Sequence, residues 1–258
     1  CALCSWRGLC NAEALAKGHL SEVSGIGGHR REMLKAIGIN NLYELAETNH
    51  HFLKKILQSN GEQQSDVAFQ LIAQAKVQAK QIIEKIKQES IFPELSNSDG
   101  VFVYDIESDP DIHEDFLHGF VKIYREEKNS QELNKTIYHP ILTLYEHGEA
   151  IAWKRIKAII NKYASWPILH YGETEALSLC RMAARQGESS ETIKILKERL
   201  IDVHDRLRKH WRLPINSYSL KTVATWIGFN WRQVGSDGPH ALLWWRQWKG
   251  LGKNQRGN

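Results

Sequence analysis

The rhythm of apolar and polar positions changes along this chain. Ala68, Leu71, Ile72, Ala75, Ala79, Ile82, Ile83 and Ile86 recur at three- and four-residue steps. That spacing predicts one long amphipathic helix over residues 62–89. From Phe92 to Gly100 the composition turns to Pro, Ser, Asn, Asp and Gly, the signature of a linker. The pattern then becomes a continuous run: Val101, Phe102, Val103 and Tyr104 are all β-branched or aromatic. Such a run predicts a buried strand. A second apolar run from Phe116 to Tyr124 follows after a short loop and predicts its antiparallel partner. A third strand is expected near Ile137 to Tyr145. A helix, a strand from Pro167 to Tyr171 and further helices complete the order. The fold class read from this is α/β, a mixed sheet flanked by helices and preceded by a small all-α region.

Two carboxylates change what the first strand means. Asp105 and Glu107 follow Tyr104 directly, two residues apart. Side chains at i and i+2 of a strand share a face. Paired acids at the end of an apolar strand repel each other unless a proton or a cation stands between them. The arrangement suits hard divalent metals, which phosphodiester cleavage uses. Asp109, Asp111, Glu114 and Asp115 extend the acidic run, and Pro110 closes the strand.

The residues around Asp105 and Glu107 resemble the first motif of the DnaQ-like (DEDD) exonucleases of the RNase H-like fold. Trp166 to Leu177 resembles the second motif of that family, an acid after a strand and a short turn. Glu175 is the carboxylate this placement favours, with Glu173 the alternative; the family's usual residue there is Asp. Leu200 to Phe229 is similar to a stretch of DNA-polymerase-B-like and RecB-associated exonucleases, with Asp202, Ser217, Tyr218, Ser219, Leu220 and Lys221 at matching positions. The resemblance implies a metal-dependent nuclease, a 3′–5′ exonuclease on single-stranded DNA or RNA. Asp105 would bridge two Mg²⁺ or Mn²⁺ ions, Glu107 would ligate one and Glu175 the other, and Lys221 would face nucleic acid. The alternative is a non-catalytic nucleic-acid-binding or scaffolding module of a helicase–nuclease system. The family's third motif, an aromatic or His followed by paired acids, is not found after Lys221, so the chain reads as a fragment with weak activity or none.

Cys1, Cys4 and Cys10 are closely spaced, and Cys180 stands alone in an apolar helical stretch. Four such cysteines make no disulfide framework, and reduced thiols suit a cytoplasmic protein. The triplet reads as a metal site lacking one ligand. It resembles the cysteines of RecB-like nucleases with a 4Fe–4S cluster; zinc and three unligated thiols are the other readings. Cys180 reads as a core thiol.

Val23 to Gly27, a helix, then Ile37 to Leu42 looks like a helix-hairpin-helix. Gly25, Gly27 and Gly28 would let backbone amides face a phosphate, with Arg30 and Arg31 opening the next helix. A small helical packing module is the plainer alternative. The boundaries expected are 1–18 for the cysteine segment, 19–60 for the helix-hairpin-helix, 61–98 for helix and linker, and 99–258 for the exonuclease-like domain.

The whole chain, 258 residues, is 42% hydrophobic and carries a net charge of +4. That balance supports one to two domains with a core. No apolar run reaches the eighteen residues a membrane helix needs. Basic residues gather at Lys154, Arg155 and Lys157, and at Arg206, Arg208, Lys209 and Arg212, on two expected helices. A basic surface around an acidic pocket suits a nuclease. Trp244 and Trp248, at i and i+4, are expected to fill the core rather than stack on bases.

Overall fold

In a computed structural model of the chain, the residues described are 4–62, 66–125, 136–144, 148–231 and 238–250. In chain order the elements are α1 (Arg7–Ala16), α2 (Gly28–Ala36), α3 (Leu42–Glu47), α4 (His50–Ser59), α5 (Val67–Lys80), β1 (Glu84–Lys85), β2 (Gly100–Asp109), β3 (Glu114–Tyr124) and β4 (Ile137–Leu142). They continue as α6 (Gly148–Lys162), β5 (Ile168–His170), α7 (Glu173–Arg185), α8 (Ser190–Arg199), β6 (Leu200–Asp202), α9 (Val203–His210), β7 (Trp211–Arg212), α10 (Leu220–Trp226) and α11 (Gly238–Gly250). The chain divides into two units, one of residues 1–89 with 207–230, the other of 90–206 with 231–258.

The second unit is built on a five-stranded sheet of order β4-β3-β2-β5-β6. β2, β3 and β4 form an antiparallel meander, while β5 and β6 run parallel to β2. The alternation along β2 sorts its side chains. Phe102 and Tyr104 are buried on one face with Phe120, His118 and Ile141 of the neighbouring strands. Ala152, Trp153, Ile156 and Ile160 of α6, Leu179, Met182 and Ala183 of α7, and Leu196 of α8 cover that face. Each fully buried large side chain there contributes on the order of 1.5–3 kcal/mol. Cys180 lies in the same core, as its apolar neighbours predict, and burial pushes its thiol up. Phe102 meets Phe120 edge-to-face and tilts onto Trp166. At Gly100 a Cβ would come within 2.4 Å of the Trp166 ring, so only glycine lets the strand pass the indole.

In the first unit α2 to α5 enclose an apolar core that includes Leu20, Leu34, Leu45, Leu53, Leu71 and Ala75. The helix expected over 62–89 is shorter. α5 stops at Lys80 because Gln81 takes the left-handed conformation (φ 52°) and the following backbone joins a sheet. Glu84 and Lys85 pair with Arg212 and Trp211 of β7, and the Ile86 amide donates to the His210 carbonyl at 2.8 Å. A pleated segment cannot keep helical periodicity, so Ile82, Ile83 and Ile86 end exposed. Arg212 therefore stands on a strand rather than on a helix, buried and paired with Glu84. The stretch from Ser217 to Lys221 is a turn and a cap. Tyr218 is buried with its hydroxyl accepting the Leu213 amide at 2.8 Å, and Ser219 Oγ accepts the Thr222 amide at the start of α10.

On α11 the tryptophans divide differently from the expected Trp244 and Trp248 pairing. Trp245 is the buried one, stacked between Phe116 at 5.0 Å and Trp248 at 5.1 Å, while Trp244 is 56% exposed. Two inward positions three apart suit the helix as well as four, and Phe116 selects the register.

Candidate active site

Pairing between β2 and β5 ends at Phe102 with Ile168 and Val103 with Leu169. Beyond that point β2 continues to Asp109 along β3, but β5 turns away at His170. A crevice opens there, at the carboxyl ends of the parallel strands, where α/β sheets place ligands. Asp105 is the second β2 residue past the last pair. It lies opposite Gly119 and is exposed on the face away from the helical core, and Glu107, two residues on, is half-buried on the same side of the strand.

Gly172 positions the next acid. Its φ of 108° and ψ of 176° belong to a region essentially closed to side-chain-bearing residues, and it caps α7 from that conformation. The turn puts Glu175 in the first turn of α7, with Glu173 exposed. Glu175 Oε2 is buried and has no hydrogen-bond partner. Its carboxyl is pushed up by burial first, then by the negative charges of Asp105 and Asp202, against its own helix-terminal amide. Asp105 is pushed up in turn, chiefly because its surroundings strip water from it even though the residue is open to solvent. Neither acid has an ion-pair partner among the described residues.

Asp202, at the end of β6, is the member that pattern reading left out of the site. Its Oδ1 accepts three amides: Gly172 at 3.0 Å, His204 at 2.9 Å and Asp205 at 3.2 Å. One carboxylate oxygen thus ties the Gly172 turn to the start of α9. The signal was present in miniature, since Leu200, Ile201 and Asp202 repeat the apolar-to-acid ending of Tyr104 and Asp105. A three-residue strand is too short to announce itself.

The outer face carries two further groups. Tyr138 of β4 crosses Gly119, where an added Cβ would meet its ring at 3.2 Å. Its hydroxyl is pushed up by burial first and then by Asp105 and Glu107, which holds it protonated. Glu107 Oε2 lies beside the first residue of α11, 3.4 Å from where a Cβ on Gly238 would stand. The charges of Asp105 and Asp202 are thus both felt at Glu175, and Glu107 lies on the Asp105 face of β2. Among the described residues no three His, Cys, Asp or Glu side chains are already close enough to hold one ion.

A family model of the RNase H superfamily, RNase_H_2, matches residues 102–256. The chain belongs to the RNase H superfamily. The match spans Asp105, Glu107, Glu175 and Asp202, and the five-stranded mixed sheet flanked by helices is an RNase H-like fold. RNase H-like domains are commonly nucleases that act on nucleic acids with divalent ions. No curated protein and no solved structure matches the chain.

Outside the RNase H-like sheet, the expected phosphate-facing residues occupy one turn of the helical unit. Gly25 takes φ 92°, Gly27 caps α2 and Gly28 begins it. Arg30 is engaged: Nη1 donates to the Gly25 carbonyl at 2.7 Å, and Nε and Nη2 both donate to Glu62 Oε2. Arg31 pairs with Glu32 at 3.2 Å, and Lys221 is exposed in the first turn of α10. Cys4 and Cys10 are exposed free thiols, and Cys1 lies outside the described residues.

Proposed function

We propose that the chain carries a metal-dependent 3′–5′ exonuclease site for single-stranded nucleic acid, centred on Asp105 and Glu175. The observation that carries this reading is the uncompensated charge between them. Burial raises both carboxyls, the charge of Asp105 raises Glu175 further, one Glu175 oxygen is buried without a partner, and no basic side chain among the described residues answers either. Hard oxygen donors left short of positive charge fit Mg²⁺ or Mn²⁺. When bound, such an ion supplies Lewis-acid chemistry at a phosphoryl group.

This chain's own residues would then do the following. Asp105 and Glu175 hold the ion, and Glu107 adds an oxygen from the same face of β2. Asp202 fixes the Gly172 turn, so that Glu175 enters the crevice rather than solvent. Tyr138, kept protonated, donates a hydrogen bond to a substrate phosphate. The 3′–5′ direction and the single-stranded substrate rest on the likeness of the motifs around Asp105, Glu107 and Glu175 to DnaQ-like exonucleases.

The test is a single strand labelled at either end, incubated with Mn²⁺. Shortening from the 3′ end that disappears in Asp105→Ala supports the reading. Neither shortening nor Mn²⁺ uptake would leave a non-catalytic nucleic-acid-binding module in its place.

A further inference from the structure

The helical unit contains a cavity of about 500 Å³ on the outer side of α5. That size falls in the range of small-ligand sites. Its floor is apolar, with Ile72 buried beneath it and Ile82 at its edge. Phe69 stands in its wall with 54% of its surface exposed.

Two side chains flank the Phe69 ring. Arg212 lies over it at 5.9 Å, and the His50 ring meets it edge-on at 6.3 Å. Arg212 is in turn fixed by Glu84 and by Gln70 Oε1 at 2.7 Å from Nη2. That ion pair neutralises the acid in the cavity lining. Lys76 and Lys80 then dominate the charge of the rim. They sit one turn apart on α5, both exposed, and neither makes an ion pair among the described residues.

A flat, exposed ring over an apolar floor, with two ammonium groups one turn along the same helix face, matches a planar aromatic group joined to an anion. An acidic peptide would answer the lysines but would leave the exposed ring and the apolar floor unused. We propose that this cavity binds one nucleotide unit of a single strand, the base against Phe69 and its phosphate on Lys76 and Lys80. The assignment rests on the nuclease reading for its substrate class, and it makes the helical unit a holding site separate from Asp105 and Glu175.

The experiment uses the whole chain in EDTA, on the Asp105→Ala background, so that the carboxylate crevice contributes neither metal nor cleavage. Binding of a labelled oligothymidylate is followed by fluorescence anisotropy. Phe69→Leu, which keeps the apolar volume, and Phe69→Ala should each weaken binding by about tenfold, the scale of one lost base stack. Lys76→Gln with Lys80→Gln should weaken it by a similar factor and lower the salt slope by about 0.7, the value for one neutralised phosphate on a single strand. AMP alone should move the Ile72 and Ile82 methyl resonances, and the oligonucleotide should displace it.

Wild-type affinity in all three variants would overturn the inference while leaving the nuclease reading intact. AMP binding that the oligonucleotide does not displace would overturn presentation by a strand. Polyglutamate bound more tightly than the oligonucleotide, with loss in the lysine variant alone, would overturn it in favour of an acidic polypeptide. Loss of metal-dependent cleavage in the wild-type chain would instead strike the Asp105 and Glu175 reading.

Discussion

Asp105 and Asp109 stand four residues apart on β2 and meet opposite surroundings. Asp109 is buried beneath Arg246, whose Nε and Nη2 donate to it at 2.8 and 2.6 Å. The same guanidinium reaches Asp111 at 2.5 Å, and Lys249 reaches Glu114 at 2.5 Å. That pairing holds the Asp109 carboxyl below its usual range, the Arg246 hydrogen bond being the first cause. Asp105 and Glu175 are pushed the other way, Asp105 by lost hydration and Glu175 by lost hydration and by the charges of Asp105 and Asp202. One group of acids is spent on docking α11 against the β2–β3 turn. The other keeps its charge for something the chain does not supply. Partners, rather than residue type, separate a structural acid from a candidate ligand.

The largest expected effect separates the two groups by activity. Asp105→Ala and Glu175→Ala should each lower metal-dependent cleavage by about a hundredfold or more, since positioning errors of about 1 Å already cost that much. Asp109→Asn should stay within a few-fold in turnover while lowering the melting temperature. Equal losses in all three would erase the distinction.

Acid titration sharpens it next, through His118 on the opposite face of the sheet. His118 is fully buried, its Nδ1 shares a hydrogen bond with the Tyr104 hydroxyl at 2.9 Å, and its Nε2 has no partner. Burial lowers its pKa from 6.5 to about 4. A histidine kept neutral in the fold leaves the unfolded chain to take up the proton first. Stability is therefore whole above pH 6.5 and falls by up to about 3 kcal/mol as pH drops to about 4. Urea melts across that window should show the slope in the wild type and its loss in His118→Asn.

Asp202 comes next. Asp202→Ala removes the acceptor of three amides and should cost about 1 kcal/mol, the scale of a lost helix cap. Asp202→Asn keeps a capping oxygen and should melt near wild type, so any activity it loses reports on charge in the crevice.

The smallest effect has the opposite sign. A carboxyl whose pKa is raised by folding destabilises the fold above that pKa and ceases to below its unfolded value. Glu175→Gln should therefore raise the melting temperature of metal-free protein at neutral pH and not at pH 4. The gain should be below about 1 kcal/mol, because Glu175 is only half-buried and solvent screens its charge. A lower melting temperature at pH 7 would mean that a cation inside the fold already balances Glu175.

Much of the sheet was legible from its side-chain pattern. Val101 to Tyr104 and Phe116 to Tyr124 announce the β2–β3 hairpin because both strands are long and apolar enough to have one reading. The turn from His170 through Gly172 to Glu175 was legible only as a placement, since the φ of Gly172 decides which glutamate points inward. β1, β6 and β7 escaped because two or three residues carry no periodicity. The acidic run from Asp105 to Asp115 was misleading as a block. Its division depends on Arg246, more than 130 residues away in sequence, which no local pattern reveals.

The central claim is that Asp105 and Glu175 are short of a cation and that Asp109 is not. Melting of the wild-type chain with and without saturating Mn²⁺ at pH 7 tests it most directly. At a hundredfold excess over Kd, binding to the folded state alone contributes about 2.7 kcal/mol. The account predicts an upward shift of the melting temperature in the wild type, the same shift in Asp109→Asn, and none in Glu175→Gln. An unshifted wild type, or a shift that survives Glu175→Gln, would contradict it.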